Sequence, residues 1–187
     1  MLQIGPPVPG CASCANPLPD LQVWLVHALG SVKFMAPFMK SKWGWPLCET
    51  LHFFGLSMLV GTIGIFDLRV LGMGKRIPIT PLHRLAPWGI AGYALNVVTG
   101  LMFLTTYPYQ YVYNSAFLVK ILLMGFAGAN ALLFNLFIFR KVNLLGPGDD
   151  APLLAKCMAG FSLCLWIGII YAGRLIAFYR PAFITFN

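Results

Sequence analysis

With 187 residues, of which 59% are hydrophobic and only 10% charged, the chain has too few solvating side chains to cover a water-soluble domain of its size, and it belongs in a bilayer. Its net charge of +8 comes from 13 Lys and Arg residues scattered over helix ends and short loops. They form no basic helix and no nucleic-acid module, so anionic lipid headgroups rather than nucleic acid are the expected partners.

The opening stretch, MLQIGPPVPGCASCANPLPD, lacks a basic region followed by an apolar run, so it does not read as a secretory signal. Its Pro, Gly and small polar residues predict an extended leader over 1–20. Cys11 and Cys14 form a C-x-x-C pair followed by Ala15 rather than His, which leaves the c-type haem attachment motif incomplete; copper, a redox disulfide and chance stay open. Cys48, Cys157 and Cys164 lie in or beside apolar runs, where cysteine behaves as a small hydrophobe, so no disulfide framework is expected.

Residues 21–45 begin with an apolar run interrupted by Gln22, His27, Lys33 and Pro37, then pass through KSKWGW, whose basic and aromatic residues suit a headgroup belt. An interfacial helical segment is predicted there. The remainder, 46–187, holds four runs of spanning length, about 47–71, 85–106, 116–139 and 153–178, given that ~20 apolar residues cross the hydrocarbon. The short loops between them predict an all-α, up-and-down four-helix membrane bundle. Glycines at helical spacing, among them Gly55, Gly61, Gly64, Gly89, Gly92, Gly125 and Gly128, predict close helix contacts.

The first spanning run, WPLCETLHFFGLSMLVGTIGIFDLRVLG, carries Glu49, His52, Asp67 and Arg69. Ionisable groups in such a run are costly and mark a pairing, a cofactor or a pathway. Threading the helices up and down places Glu49, His52, Lys120 and Arg174 at similar depth near one face of the membrane, here called side A. One reading is charge neutralisation, with Glu49 paired to Arg174 or Lys120. The other is a haem b site: His52 ligating iron, Arg174 and Lys120 near the propionates, Glu49 balancing or orienting them, and Phe53, Phe54 and Trp166 against the macrocycle. His27 is a candidate second ligand, with Met35, Met39 and Met58 as other donors. Asp67, Arg69, Arg84 and Arg140 form a second polar set near the opposite face, side B, expected to be a charge-paired structural clamp. Asn96 and Asn130 near mid-membrane are expected to hydrogen-bond across helices, with a proton track or quinone headgroup as the alternative. Side B carries more Lys and Arg in short loops and is the expected cytoplasmic face.

The succession from WPLCETLHFF through LHRLAPWGIAGYALNVVTGLMFL and NSAFLVKILLMGFAGANALLF to AGRLIAF resembles an uncharacterised family of small bacterial four-helix membrane proteins, sometimes grouped loosely with copper resistance protein D and b-type cytochromes. The resemblance covers about 45–178 and rests on E-x-x-H, DLR, TG, N-x-x-F-x-x-K and GR-x-IA. By position it picks out Glu49, His52, Asp67, Arg69, Thr99, Gly100, Asn114, Phe117, Lys120, Asn130, Gly173 and Arg174. The chain departs from the pattern at Asn135, where a histidine is expected. The resemblance implies a bacterial inner membrane location. The function expected from these readings is a haem b electron-transfer or redox-complex subunit, with a quinone or a redox partner as its expected contact. The alternatives are a scaffold in a homo-oligomer or larger complex, or a protein handling copper or a small solute.

Overall fold

The computed structural model describes residues 19–179 except 33 and 147, with the backbone alone for 19, 20, 80 and 83. The leader with Cys11 and Cys14, together with Lys33 and Arg180, lies outside the described residues, as does the His83 side chain. The chain is all-α among those residues. Helix α1 (Pro19–Gly30) and the short α2 (Ala36–Met39) lead into the first spanning helix, α3 (Gly44–Leu71). The small α4 (Ile79–His83) and α5 (Ala86–Thr106) follow, then α6 (Pro108–Val112) and α7 (Ser115–Leu133). A π-helical turn, Phe134–Ile138, continues α7 into α8 (Phe139–Asn143), and α9 (Leu153–Leu175) completes the set. Four of these segments are long and apolar enough to cross a membrane, as predicted: 44–71, 86–106, 115–143 and 153–175. The protein is therefore a multi-pass membrane protein.

Helix α1 is too short to span at 12 residues, since the hydrocarbon needs ~20. It packs instead against α6 and the end of α5, and the buried Gln22 side chain donates to the Val112 carbonyl at 3.5 Å.

The spanning helices stand in a row, α5–α3–α9–α7, with α5 packed on α3, α3 on α9, and α9 on α7. The two ends of the row, α5 and α7, are not a packed pair. The tightest contact is the crossing of α3 and α5. A Cβ at Gly55 would stand 2.9 Å from the Gly92 carbonyl oxygen, and one at Gly92 would stand 2.7 Å from that of Gly55. One Cβ at Gly89 would come within 2.6 Å of the Thr62 hydroxyl. Backbones this close gain dispersion contacts that lipid cannot supply. The other glycines of the predicted set do not share this role: Cβ atoms at Gly61, Gly64, Gly125 and Gly128 would meet nothing within 4 Å. Their spacing gives them a common face, but the neighbouring helix is not on it.

At side B the loops are stitched to the helix ends. Gly72, at φ 102°, ends α3 in the left-handed region, where glycine carries no Cβ penalty. Buried Arg69 donates from Nε to the Ile77 carbonyl at 2.6 Å and from Nη2 to that of Gly146 at 3.4 Å. The expected clamp therefore exists, but it works through backbone carbonyls. Asp67 forms no ion pair with Arg69, Arg84 or Arg140 among the described residues, and Arg84 and Arg140 are exposed. Residues 67 and 69 lie two apart on a helix, so their side chains diverge. The ion pairs join Asp150 to Lys75 at 3.2 Å and to Lys156 at 2.8 Å. Behind them Val70, Ile79, Val142 and Ala155 form a closed apolar cluster.

Two outcomes are expected. Gly92→Val forces methyl groups against the α3 backbone and destabilises by about 1–3 kcal/mol, the usual cost of overpacking, read as a lower midpoint in a detergent thermal melt. Hydrogen bonds from Lys156 and then Lys75 hold the Asp150 carboxyl below its usual range. Its contribution is thus complete above the unfolded value of about 3.9 and is lost as pH falls through the lower folded value. Asp150→Asn should flatten that acid limb of the pH–stability curve.

Candidate functional site

On side A, residues of the resemblance motifs meet in pairs. His52 Nδ1 and Thr99 Oγ1 lie 2.7 Å apart, and Thr99 Oγ1 donates to the Leu95 carbonyl at 2.7 Å. A hydroxyl has one proton, and that carbonyl can only accept. With the Thr99 proton on the Leu95 carbonyl, the hydroxyl accepts from the His52 Nδ1–H, and in that neutral tautomer Nε2 keeps its lone pair. A Cβ at Gly100 would stand 3.8 Å from His52 Cε1, an ordinary contact, so the ring packs beside Gly100 without needing a glycine there. The Phe103 ring meets the imidazole edge-on at 5.8 Å. From α7, the stem of Lys120 runs along Gly173 of α9, with Nζ 3.7 Å from where a Gly173 Cβ would be. Its charge acts on His52. Asn114 caps α7 by accepting from the Ala116 and Phe117 amides, and its amide nitrogen donates to the Ile176 carbonyl at 3.0 Å, tying α7 to the end of α9.

The other predicted members stand apart. Glu49 is exposed and makes no ion pair with Lys120 or Arg174 among the described residues. Its charge acts instead on Tyr111, where burial first and then Cys48, Glu49 and Tyr107 push the phenol up, keeping it a protonated donor. Arg174 sits over the Phe178 ring at 5.6 Å, and His27 lies on the exposed face of α1. Phe53 and Phe54 turn outward, 57% and 60% exposed. Side A thus brings His52, Thr99 and Lys120 together, while Glu49, Arg174 and His27 lie around them. Among the described residues no three His, Cys, Asp or Glu converge on a metal position.

The main cavity lies in the other half of the membrane. It has a volume of ≈ 440 Å³ and fills the cleft between α5 and α7, with α3 and α9 as its floor. The α5 wall is Gly89, Ile90 and Tyr93; the α7 wall runs from Met124 through Gly128 and Asn130 to the π-helical turn at Phe134 and Asn135. Asp67, Ser162 and Trp166 rise from the floor. Ile90 and Tyr93 are exposed on one side and Gly128 and Asn135 on the other, so the cleft opens sideways toward lipid. Asp67 is only 6% exposed. Its carboxyl engages the Ser162 side chain, yet Oδ2 has no hydrogen-bond partner. Asn130 reaches the Met158 carbonyl across the helix interface at 3.2 Å, whereas Asn96 bonds within its own helix to Gly92. Asp67, Asn130 and Ser162 thus line one space; the sequence reading expected Asp67 to be structural and Asn130 to bond across helices, and gave Ser162 no role. The available signal was Asp67 itself, an acid in an apolar helix without a basic residue at i±3 or i±4.

No protein-family model, curated protein or solved structure matches this chain.

Thr99→Val should leave the His52 Nδ1–H unpaired, at a cost of about 0.6–1.7 kcal/mol for an interhelical hydrogen bond in a membrane. The expected readout is a mixed Nδ1/Nε2 tautomer population in nitrogen-labelled histidine spectra, against a single Nδ1–H form in the parent protein.

Proposed function

We propose that this multi-pass membrane protein takes a lipid-soluble, hydrogen-bonding small molecule from the bilayer into the cleft between α5 and α7. The carrying observation is the form of that cleft: a ≈ 440 Å³ space with a lateral mouth, aromatic walls and polar groups at Asp67, Asn130 and Ser162. Concave, mostly apolar sites with a few placed polar groups are the usual form of a small-molecule site. From Leu85 to Tyr93 the lining covers about 12 Å at 1.5 Å per residue, from the side B interface toward mid-membrane. Asp67 stands near the side B end of α3, whereas Asn130 and Ser162 fall near the middle of their spans. Such a molecule, a quinone or another amphiphile, would be held for a partner in a membrane complex or passed across the interface. The inner membrane of a bacterium remains the location implied by the family resemblance.

A second reading, haem b in an electron-transfer subunit, draws on the His52 Nε2 lone pair oriented by Thr99, the arrangement expected of a ligating imidazole. The described residues of one chain do not fit the macrocycle: Phe53 and Phe54 face outward, Trp166 lines the side B cavity, and no histidine does. This reading needs a second copy or another subunit to supply the missing wall.

Native mass spectrometry of protein extracted with its lipids separates these readings. Retention of a discrete small molecule is expected, and it should be lost in Gly128→Phe, which fills the cavity from a position with open space around its Cβ. A chain that carries nothing, or whose adduct is indifferent to Gly128→Phe, refutes the cavity reading. A reducible b-type spectrum that vanishes in His52→Ala would put haem in its place.

A further inference from the structure

We infer that the cleft selects a lipophilic amine, with Asp67 as the group that recognises its headgroup; this rests on the cavity reading above. Asp67 is more than nine-tenths buried, lines the cavity and leaves Oδ2 without a partner. A buried acceptor lacking a donor loses the full hydration free energy of the group, and an uncompensated carboxylate loses far more. Relief comes from a proton on the carboxyl or from a donor, and among the described residues no Lys, Arg or His lines the cavity. The nearest basic side chain in sequence, Arg69, is committed to the Ile77 and Gly146 carbonyls. A cationic ligand supplies the counter-charge that the described lining lacks.

The walls agree with this choice. Phe66, Tyr93, Phe134 and Trp166 line the same space, and aromatic faces attract ammonium groups most strongly where water is excluded. An amine N–H donates to the Asp67 carboxylate, which balances its charge, and its apolar body extends along α5 and α7. Neutral carbonyl headgroups, which only accept, leave Oδ2 of an ionised Asp67 unsatisfied and are disfavoured.

Three isosteric probes test this on the full chain in phosphatidylcholine nanodiscs: 4-pentylbenzylamine, 4-pentylbenzyl alcohol and 1-ethyl-4-pentylbenzene. Binding is read as the saturable change in tryptophan fluorescence over empty nanodiscs. The amine is expected to bind at least about tenfold tighter than the alcohol, the scale of one charge-assisted hydrogen bond, with the hydrocarbon weakest. Asp67→Asn should abolish the preference for the amine while keeping alcohol affinity. Equal binding of all three probes, or an amine preference that survives Asp67→Asn, overturns the headgroup assignment and leaves the cavity reading standing. Saturable binding of none overturns both. If Asp67→Asn fails to fold, the ranking of probes by the parent protein decides alone.

Discussion

α3 and α5 cross where Gly55 and Gly92 face each other, each lacking the Cβ that would strike the other's carbonyl oxygen. In lipid, apolar side chains gain little by leaving the solvent, so close backbone packing carries a larger share of helix association than in water. This contact draws α5 onto the far side of α3, away from α7. Once α3 also packs on α9 and α9 on α7, the four helices form a curved row with a cleft between its ends. The side B cavity follows from where the small residues are, and where they are not: Gly125 and Gly128 on α7 receive no helix.

The second constraint is that each polar group within the hydrocarbon needs a partner inside the chain. Most find one. Thr99 pairs with the His52 ring nitrogen and donates to the Leu95 carbonyl. Asn114 serves the start of α7 and the end of α9 at once, and Arg69 gathers two loops. These assignments give structural meaning to the TG, N-x-x-F-x-x-K and DLR elements. Asp67 Oδ2 is the exception among cavity-lining groups, and it lies where the π-helical turn at Phe134–Ile138 shifts the register of the facing wall. Such turns recur at functional sites because they re-aim side chains without ending the helix.

His52 and Asp67 occupy opposite halves of α3, about 22 Å apart along the axis at 1.5 Å per residue. They serve different chemistry. His52 is oriented, hydrogen-bonded and influenced by the Lys120 charge, which makes it a positioned base or ligand in search of a neighbour. Asp67 is enclosed and half-satisfied beside a space large enough for a ligand. A single chain completes the second arrangement further than the first.

Sequence alone determined the membrane class, the four spans and their alternating direction, because span length and hydropathy are properties of contiguous residues. It also marked His52, Thr99, Lys120 and Asp67 as polar residues in apolar runs. Only the tertiary structure decided which of them meet. α3 is apolar nearly all round, so no polar stripe shows which face meets which helix. Neighbour choice depends on a few Cβ-sized clearances whose effect appears only once two backbones are in contact. Glu49 and Arg174 share a depth with His52 and Lys120 yet face elsewhere, and Asp67 faces a cavity that exists only because α5 and α7 stay apart. Depth in the membrane is written along the chain, whereas rotation about each helix axis is set by packing.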